Sequence, residues 1–148
     1  MFRGSSFHTI DPKGRIIIPA RFRDAIKAGG GDGVVVTRLD NALFVYTFDQ
    51  WSKVESKVLS MAETSEYMRR FRRVFIGGAS DCNCDKQGRI LIPPVLRQYA
   101  ELEKEIVLVG QIMHFEIWSK ENYEREAMQM EEDMKKEAVS NEIAKLGL

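Results

Sequence analysis

The stretch Asp11-Pro12-Lys13-Gly14-Arg15-Ile16-Ile17-Ile18-Pro19 returns later in the chain as Asp85-Lys86-Gln87-Gly88-Arg89-Ile90-Leu91-Ile92-Pro93. Asp, Gly, Arg, the aliphatic positions and the closing Pro recur in step, and the match runs on to Phe22 against Leu96 and Arg23 against Arg97. A duplication of this kind constrains the fold strongly. In a chain of 148 residues, a unit of fewer than about 50 residues rarely buries enough apolar surface alone. The two copies are therefore predicted to complete one another around a shared core.

Each copy has a local physical meaning. Asp followed three places later by Gly suits a type I turn in which the Asp side chain caps the turn and Gly takes positive φ. The turn reads as a hairpin tip, with an incoming strand at Ser6 to Ile10 and a buried β-branched strand at Arg15 to Ile18. Pro19 and Pro93 end those strands and admit a short helix directly after them. Phe22 with Ile26, and Leu96 with Tyr99 and Ala100, give each helix one apolar face. Further strands follow at Val34 to Thr37 and Leu43 to Tyr46, then at Ile106 to Val109 and Phe115 to Trp118 in the second copy. Short strands at this density predict a small closed barrel, which hides sheet edges.

Each copy then enters a longer helix with a hydroxyl residue, Thr47 or Ser119, placed to cap it. Trp51, Val54, Val58 and Met61 recur at helical spacing, as do Tyr123, Ala127, Met130, Met134 and Ala138. Around Glu63-Thr64-Ser65 the first pattern restarts as a linker helix, with Tyr67, Phe71 and Val74 on one side and Arg69, Arg70, Arg72 and Arg73 on the remainder. Those arginines suit a solvated face or a subunit contact as well as DNA. The methionines at 128, 130 and 134 read as a core or subunit stripe, with an adaptable partner groove as the alternative.

Lys and Arg together equal Asp and Glu, 22 against 22, which argues against a generic polycation and leaves room for local basic surface. The first 27 residues carry six bases against two acids, whereas the segment from Glu116 onward carries nine acids against five bases. Such polarity permits one basic face and one acidic face, the asymmetry that nucleic-acid binding or self-assembly needs. Cys82 and Cys84 alternate onto one face of a strand, where a disulfide between them is geometrically poor. Two thiols fall short of a zinc site, and neither His8 nor His114 forms a ligand motif with them. No run approaches the ~20 apolar residues of a membrane span, and the N-terminus lacks an apolar signal core. A soluble cytoplasmic protein is expected.

The doubled Asp-x-x-Gly-Arg-Ile-x-Ile-Pro, with its flanking glycines and a helix after each unit, closely resembles the MraZ family of bacterial transcriptional regulators over essentially the whole chain. Each half resembles a SpoVT-AbrB DNA-binding domain, in which swapped β-hairpins from two units build one double-psi-type barrel. The resemblance implies a mainly β fold with helices (α+β), formed as an internal pseudo-dimer. Its parts are a first domain at 5–51, a helical linker at 52–75, a second domain at 76–123 and a C-terminal helix at 124–148. It also implies ring-shaped homo-oligomers on the nucleoid. These would bind direct repeats of double-stranded DNA in the promoter of the division and cell-wall gene cluster, usually as a repressor.

The family's Asp-x-x-x-Arg signature falls on Asp11 with Arg15 and on Asp85 with Arg89. Duplex DNA calls for cations that reach phosphates and for planar donors that read base edges. Arg3, Lys13 and Arg15, with Lys86 and Arg89 in the second copy, are the candidate contacts, and Asp11, Gly14, Asp85 and Gly88 shape the turns. Lys13 and Lys86 are one place out of register, so the two tips need not meet DNA alike. Arg15 either contacts DNA, clamps its own turn to Asp11, or does both. An enzyme is the competing class, but the chain has no phosphate-binding glycine loop, no metal-spaced histidines and no nucleophile paired with a base by motif. No cofactor or metal is expected. The other alternative is an oligomeric scaffold whose helices bind a protein partner.

Overall fold

The computed structural model describes residues 1–61 and 64–148. Ala62 and Glu63, the latter the start of the expected second helical pattern, lie outside the described residues. The first half runs β1 (Ser5–Thr9), β2 (Arg15–Ile17), α1 (Ala20–Ala28), β3 (Gly33–Leu39), β4 (Ala42–Thr47), α2 (Phe48–Leu59) and α3 (Glu66–Phe75). The second repeats that order as β5 (Ser80–Asn83), β6 (Arg89–Leu91), α4 (Pro94–Tyr99), β7 (Glu105–Gly110), β8 (Phe115–Ser119), α5 (Lys120–Met134) and α6 (Glu137–Ala144).

Pairing across the halves dominates. A six-stranded antiparallel sheet has the order β1-β7-β8-β4-β3-β5, so the first strand of each half pairs with the third strand of the other. β2 and β6 pair with each other as a two-stranded ribbon. The registers centre on repeat-equivalent residues: Ile16 lies opposite Ile90 in the ribbon, and Phe44 opposite Glu116 in the sheet. Both pairs therefore lie on one pseudo-twofold axis, and the duplication is an internal pseudo-dimer.

Ribbon and sheet enclose one core. Ile16, Ile18, Ile90 and Ile92 of the two repeated motifs pack with Val34, Val36, Leu43 and Val45 from one half and Ile106, Leu108, Phe115 and Ile117 from the other. Each of these side chains is fully buried, a contribution of about 1.5–3 kcal/mol apiece. Neither half could retain that core alone. The expected closed barrel takes the form of an open ladder whose gap the ribbon spans, with Ile10 bridging to Ile16 where β1 turns into β2.

The helices hold to local rules at their starts. α1 follows Pro19 and α4 follows Pro93, each proline standing just outside the helix, with Pro94 in its first turn. Thr47 Oγ1 accepts from the Gln50 amide at 3.2 Å, and Ser119 Oγ from the Asn122 amide at 3.1 Å, capping α2 and α5.

Two helical expectations are corrected. The buried face of α3 is Phe71 and Phe75 packed with Trp51 and Tyr46, while Tyr67 is 78% exposed and Val74 is also exposed. The stripe in the sequence admits either face. The buried Thr37 hydroxyl, donating to the Phe75 carbonyl, turns the helix to this one. The C-terminal segment forms two helices, because the backbone becomes extended at Lys136 and the Ser140 hydroxyl donates to the freed Met134 carbonyl. Only the start of α5 packs on the sheet, through Tyr123 against Ala42, Val107 and Trp118. Met128, Met130 and Met134 are exposed, and α6 has no buried residue. No helix among the described residues is long and apolar enough to cross a membrane.

Candidate nucleic-acid interface

The two turns are built identically from local chemistry. Asp11 Oδ1 accepts from the Lys13 amide at 3.0 Å and the Arg15 amide at 2.9 Å, and the Asp11 carbonyl accepts from the Gly14 amide at 2.9 Å. Asp85 Oδ1 accepts from the Gln87 and Arg89 amides, both at 2.9 Å, and its carbonyl from the Gly88 amide at 3.0 Å. Gly14 at φ 90 and Gly88 at φ 74 close the turns in a backbone region that a side chain would strain. The other carboxylate oxygen holds the arginine: Arg15 Nε donates to Asp11 Oδ2 at 2.6 Å, and Arg89 Nε to Asp85 Oδ2 at 2.8 Å.

These bonds shift the acids. Asp11 lies below its ordinary value chiefly because the Arg15 amide donates to it; partial burial opposes that shift, and the guanidinium bond and charge add to it. Asp85 is lowered in the same way by the Arg89 amide and side chain. Both carboxylates are thus anions at neutral pH, and each fixes the plane of one guanidinium. Among the described residues neither Arg15 nor Arg89 has another side-chain partner, which leaves the Nη edge of each open to an outside acceptor.

The ribbon then brings the copies together. Its register sets Arg15 opposite Leu91 and Ile17 opposite Arg89. Alternation sends Ile16 and Ile90 inward, so Arg15, Ile17, Arg89 and Leu91 share the outward face, the two arginines on a diagonal and the two aliphatics exposed. Lys13 and Lys86 stand exposed on the flanking turns. Arg3 is not gathered there. It precedes β1 while the turn follows it, so roughly 17 Å of strand separates them. Arg3 lies instead beside the Phe2–Ile112 bridge, its Nη2 at 3.3 Å from Met1 Sδ.

Two further arginines belong to this construction: Arg23 and Arg97 reach from α1 and α4 onto the turn of the opposite half. Their recurrence at matching repeat positions was the available signal, but the surface they cover is set by the interlock of the halves.

Burial, then the charges of Asp81 and the neighbouring thiol, push Cys82 up to about 11; burial also raises Cys84, with Asp32 and Asp85 adding to it. Both are free, on one face of β5 and just beyond it, as small fillers of the interior. Among the described residues no group of three or more His, Cys, Asp or Glu stands where it would hold a metal ion.

Two repeats interlocked about one axis, each presenting a turn whose acid anchors an arginine on a common outward ribbon, define a mixed α+β internal pseudo-dimer with a paired cationic face. The family described as "MraZ protein, putative antitoxin-like" matches the chain twice, over residues 1–74 and 75–143. A "Transcriptional regulator MraZ" of Desulforapulum autotrophicum is 64% identical over the full length of both chains. Proteins of the same name from Desulfosudis oleivorans and Acetivibrio thermocellus are 54% and 40% identical, again across the whole of each chain. The chain belongs to the MraZ family.

Proposed function

We propose that this protein is a non-enzymatic, sequence-specific DNA-binding regulator of transcription. The observation that carries the reading is the outward ribbon face, where Arg15 and Arg89 stand on a diagonal with their planes already held by Asp11 and Asp85. With Nε engaged by the carboxylate, the two Nη groups remain, enough for end-on bidentate bonding to the O6 and N7 of guanine in the major groove. Exposed Ile17 and Leu91 between them suit thymine methyl groups, and Lys13 and Lys86 suit the flanking phosphates. Arg3, a strand away, would reach a phosphate further along the duplex. Relatives named as transcriptional regulators, similar over their whole length, support the same conclusion.

A ribbon two strands wide reads few base pairs, so one subunit would bind weakly. Assembly into a ring of identical subunits, each meeting one of several direct repeats, would convert weak contacts into tight binding through effective concentration. The exposed methionine-bearing face of α5 and α6, which has no buried residue, offer surfaces for such assembly. The target in this reading is the promoter of the division and cell-wall gene cluster, with repression as the outcome and the nucleoid as the place of action.

The test is fluorescence anisotropy with a duplex from the chain's own upstream promoter and a shuffled duplex, over a range of salt. Preference for the promoter duplex, a steep fall with salt, and loss of the preference in Arg15→Ala and Arg89→Ala with folding intact are the expected results. Equal binding of the two duplexes, or binding unchanged by both substitutions, would overturn the reading and move weight to a scaffold whose helices bind a protein.

A further inference from the structure

We propose that Arg23 and Arg97 are positioning residues, each holding the DNA-directed turn of the opposite half so that the two turns are braced against one another across the pseudo-axis. The term DNA-directed rests on the function proposed above; the bracing itself does not.

The geometry is reciprocal. The Ile18 amide donates to the Gly88 carbonyl at 2.9 Å, and the Ile92 amide donates to the Gly14 carbonyl at 2.9 Å, so the end of each ribbon strand is tied to the other half's turn. The arginines stand over those same two glycines. A methyl group added to Gly14 would lie 2.6 Å from Arg97 Nε and Cζ, and one added to Gly88 would meet Arg23 Nη1 still more closely. Each guanidinium is anchored at home: Arg23 Nη1 donates to the Ile18 carbonyl at 3.2 Å, and Arg97 Nε to the Ile92 carbonyl at 3.0 Å. One strand-end residue thus serves two bonds, its amide gripping the opposite turn and its carbonyl aiming the arginine that covers that turn.

The consequence is mechanical. Glycine offers the turn no side chain of its own to pack, yet both turn glycines are buried. The atoms nearest the place a side chain would take come from across the axis, from Arg97 at Gly14 and Arg23 at Gly88. Turn orientation sets the Asp11 carboxylate, and that carboxylate sets the plane of Arg15; the same chain of contacts runs from Arg23 through Gly88 and Asp85 to Arg89. Holding a recognition group in its bound geometry before the ligand arrives reduces what binding must spend on ordering. Neither Arg23 nor Arg97 needs to touch DNA to act in this way.

The experiment is hydrogen exchange, read by mass spectrometry on the full chain without DNA, at the turn amides of residues 11–15 and 85–89, which leaves out the crossing amides of Ile18 and Ile92. Arg97→Ala is expected to speed exchange in 11–15 by about tenfold and leave 85–89 within about twofold; Arg23→Ala should do the reverse. Loosening of the variant's own half, of both halves alike, or of neither overturns the bracing. Should an alanine variant fail to fold, Arg97→Lys and Arg23→Lys must show the same crossed pattern at smaller amplitude, and an uncrossed pattern overturns it equally. With the promoter duplex, Arg97→Ala should weaken binding while leaving its salt dependence unchanged; a reduced salt slope makes Arg97 a phosphate ligand and removes the positioning role. If the wild-type chain binds no duplex, the functional reading fails while the crossed exchange pattern stands or falls by itself.

Discussion

Gly14→Ala puts the interlock under direct load. At φ 90 an alanine is strained by roughly 1–2 kcal/mol. Its methyl would also occupy the space of Arg97 Nε and Cζ, 2.6 Å away. The obstacle is the far end of a flexible side chain, so the arginine swings aside and the turn, without its brace, is left looser rather than rebuilt. The cost is then the bond that Arg97 leaves, from its Nε to the Ile92 carbonyl, about 1–2 kcal/mol for a charged donor at a half-exposed site. The sum, about 3 kcal/mol, lowers the melting temperature by roughly 6–12 °C in a chain of this length. Thermal and urea unfolding at fixed protein concentration should be measured for Gly14→Ala, Arg97→Ala and the double variant. Once Arg97 is gone the methyl displaces nothing, so the double variant should cost about 1–2 kcal/mol less than the sum of the single ones. Costs that add to within about 0.5 kcal/mol would refute the claim that Arg97 is what Gly14 makes room for.

Neighbouring residues of the ribbon should respond oppositely: Ile16→Ala, which empties a fully buried site on the pseudo-axis, should cost about 2–5 kcal/mol, and Ile17→Ala, on the exposed face, less than about 0.5 kcal/mol, both read from urea midpoints. The carboxyls of Asp11 and Asp85 lie below the ordinary 3.8, so the stability they add is fully present above that value and drains away as pH falls through their folded values. Urea midpoints between pH 6 and pH 3 should therefore fall more steeply for the wild type than for the Asp11→Asn/Asp85→Asn variant, and equal slopes would contradict the assignment. Cys82, buried and pushed up to about 11, should resist a thiol reagent at pH 8 in the folded protein, with half-buried Cys84 reacting first and both reacting freely in urea.

Much of the candidate site was legible because its bonds span no more than five residues. Asp11, Gly14 and Arg15 meet within one turn, and so do Asp85, Gly88 and Arg89; residue type and spacing suffice to close the loop and seat the arginine. The same holds for the caps at Thr47 and Ser119, which reach three residues ahead. Arg97 over Gly14 was not legible, since the recurrence of Arg23 and Arg97 says that the position matters and not what lies opposite it. The face of α3 and the break after Met134 escaped for a related reason: a helical stripe names the side that wants cover, and the covering element decides whether it gets it.

By itself the sequence determined a duplicated strand-turn-strand-helix unit, its two acid-anchored arginines and the need of each copy for the other. The interior isoleucines of each repeat are too few to form a core alone, and the turn chemistry is complete within the repeat. Only the tertiary structure decided that β1 pairs with β7 and β5 with β3, that Ile16 meets Ile90 on an axis, and that Arg15 and Arg89 thereby share one outward face. Hydrogen bonds between strands are backbone bonds, the same for every residue type, so partner and register are chosen by which pairing buries the whole apolar set at once. That choice belongs to the assembled core and to no stretch of the chain alone.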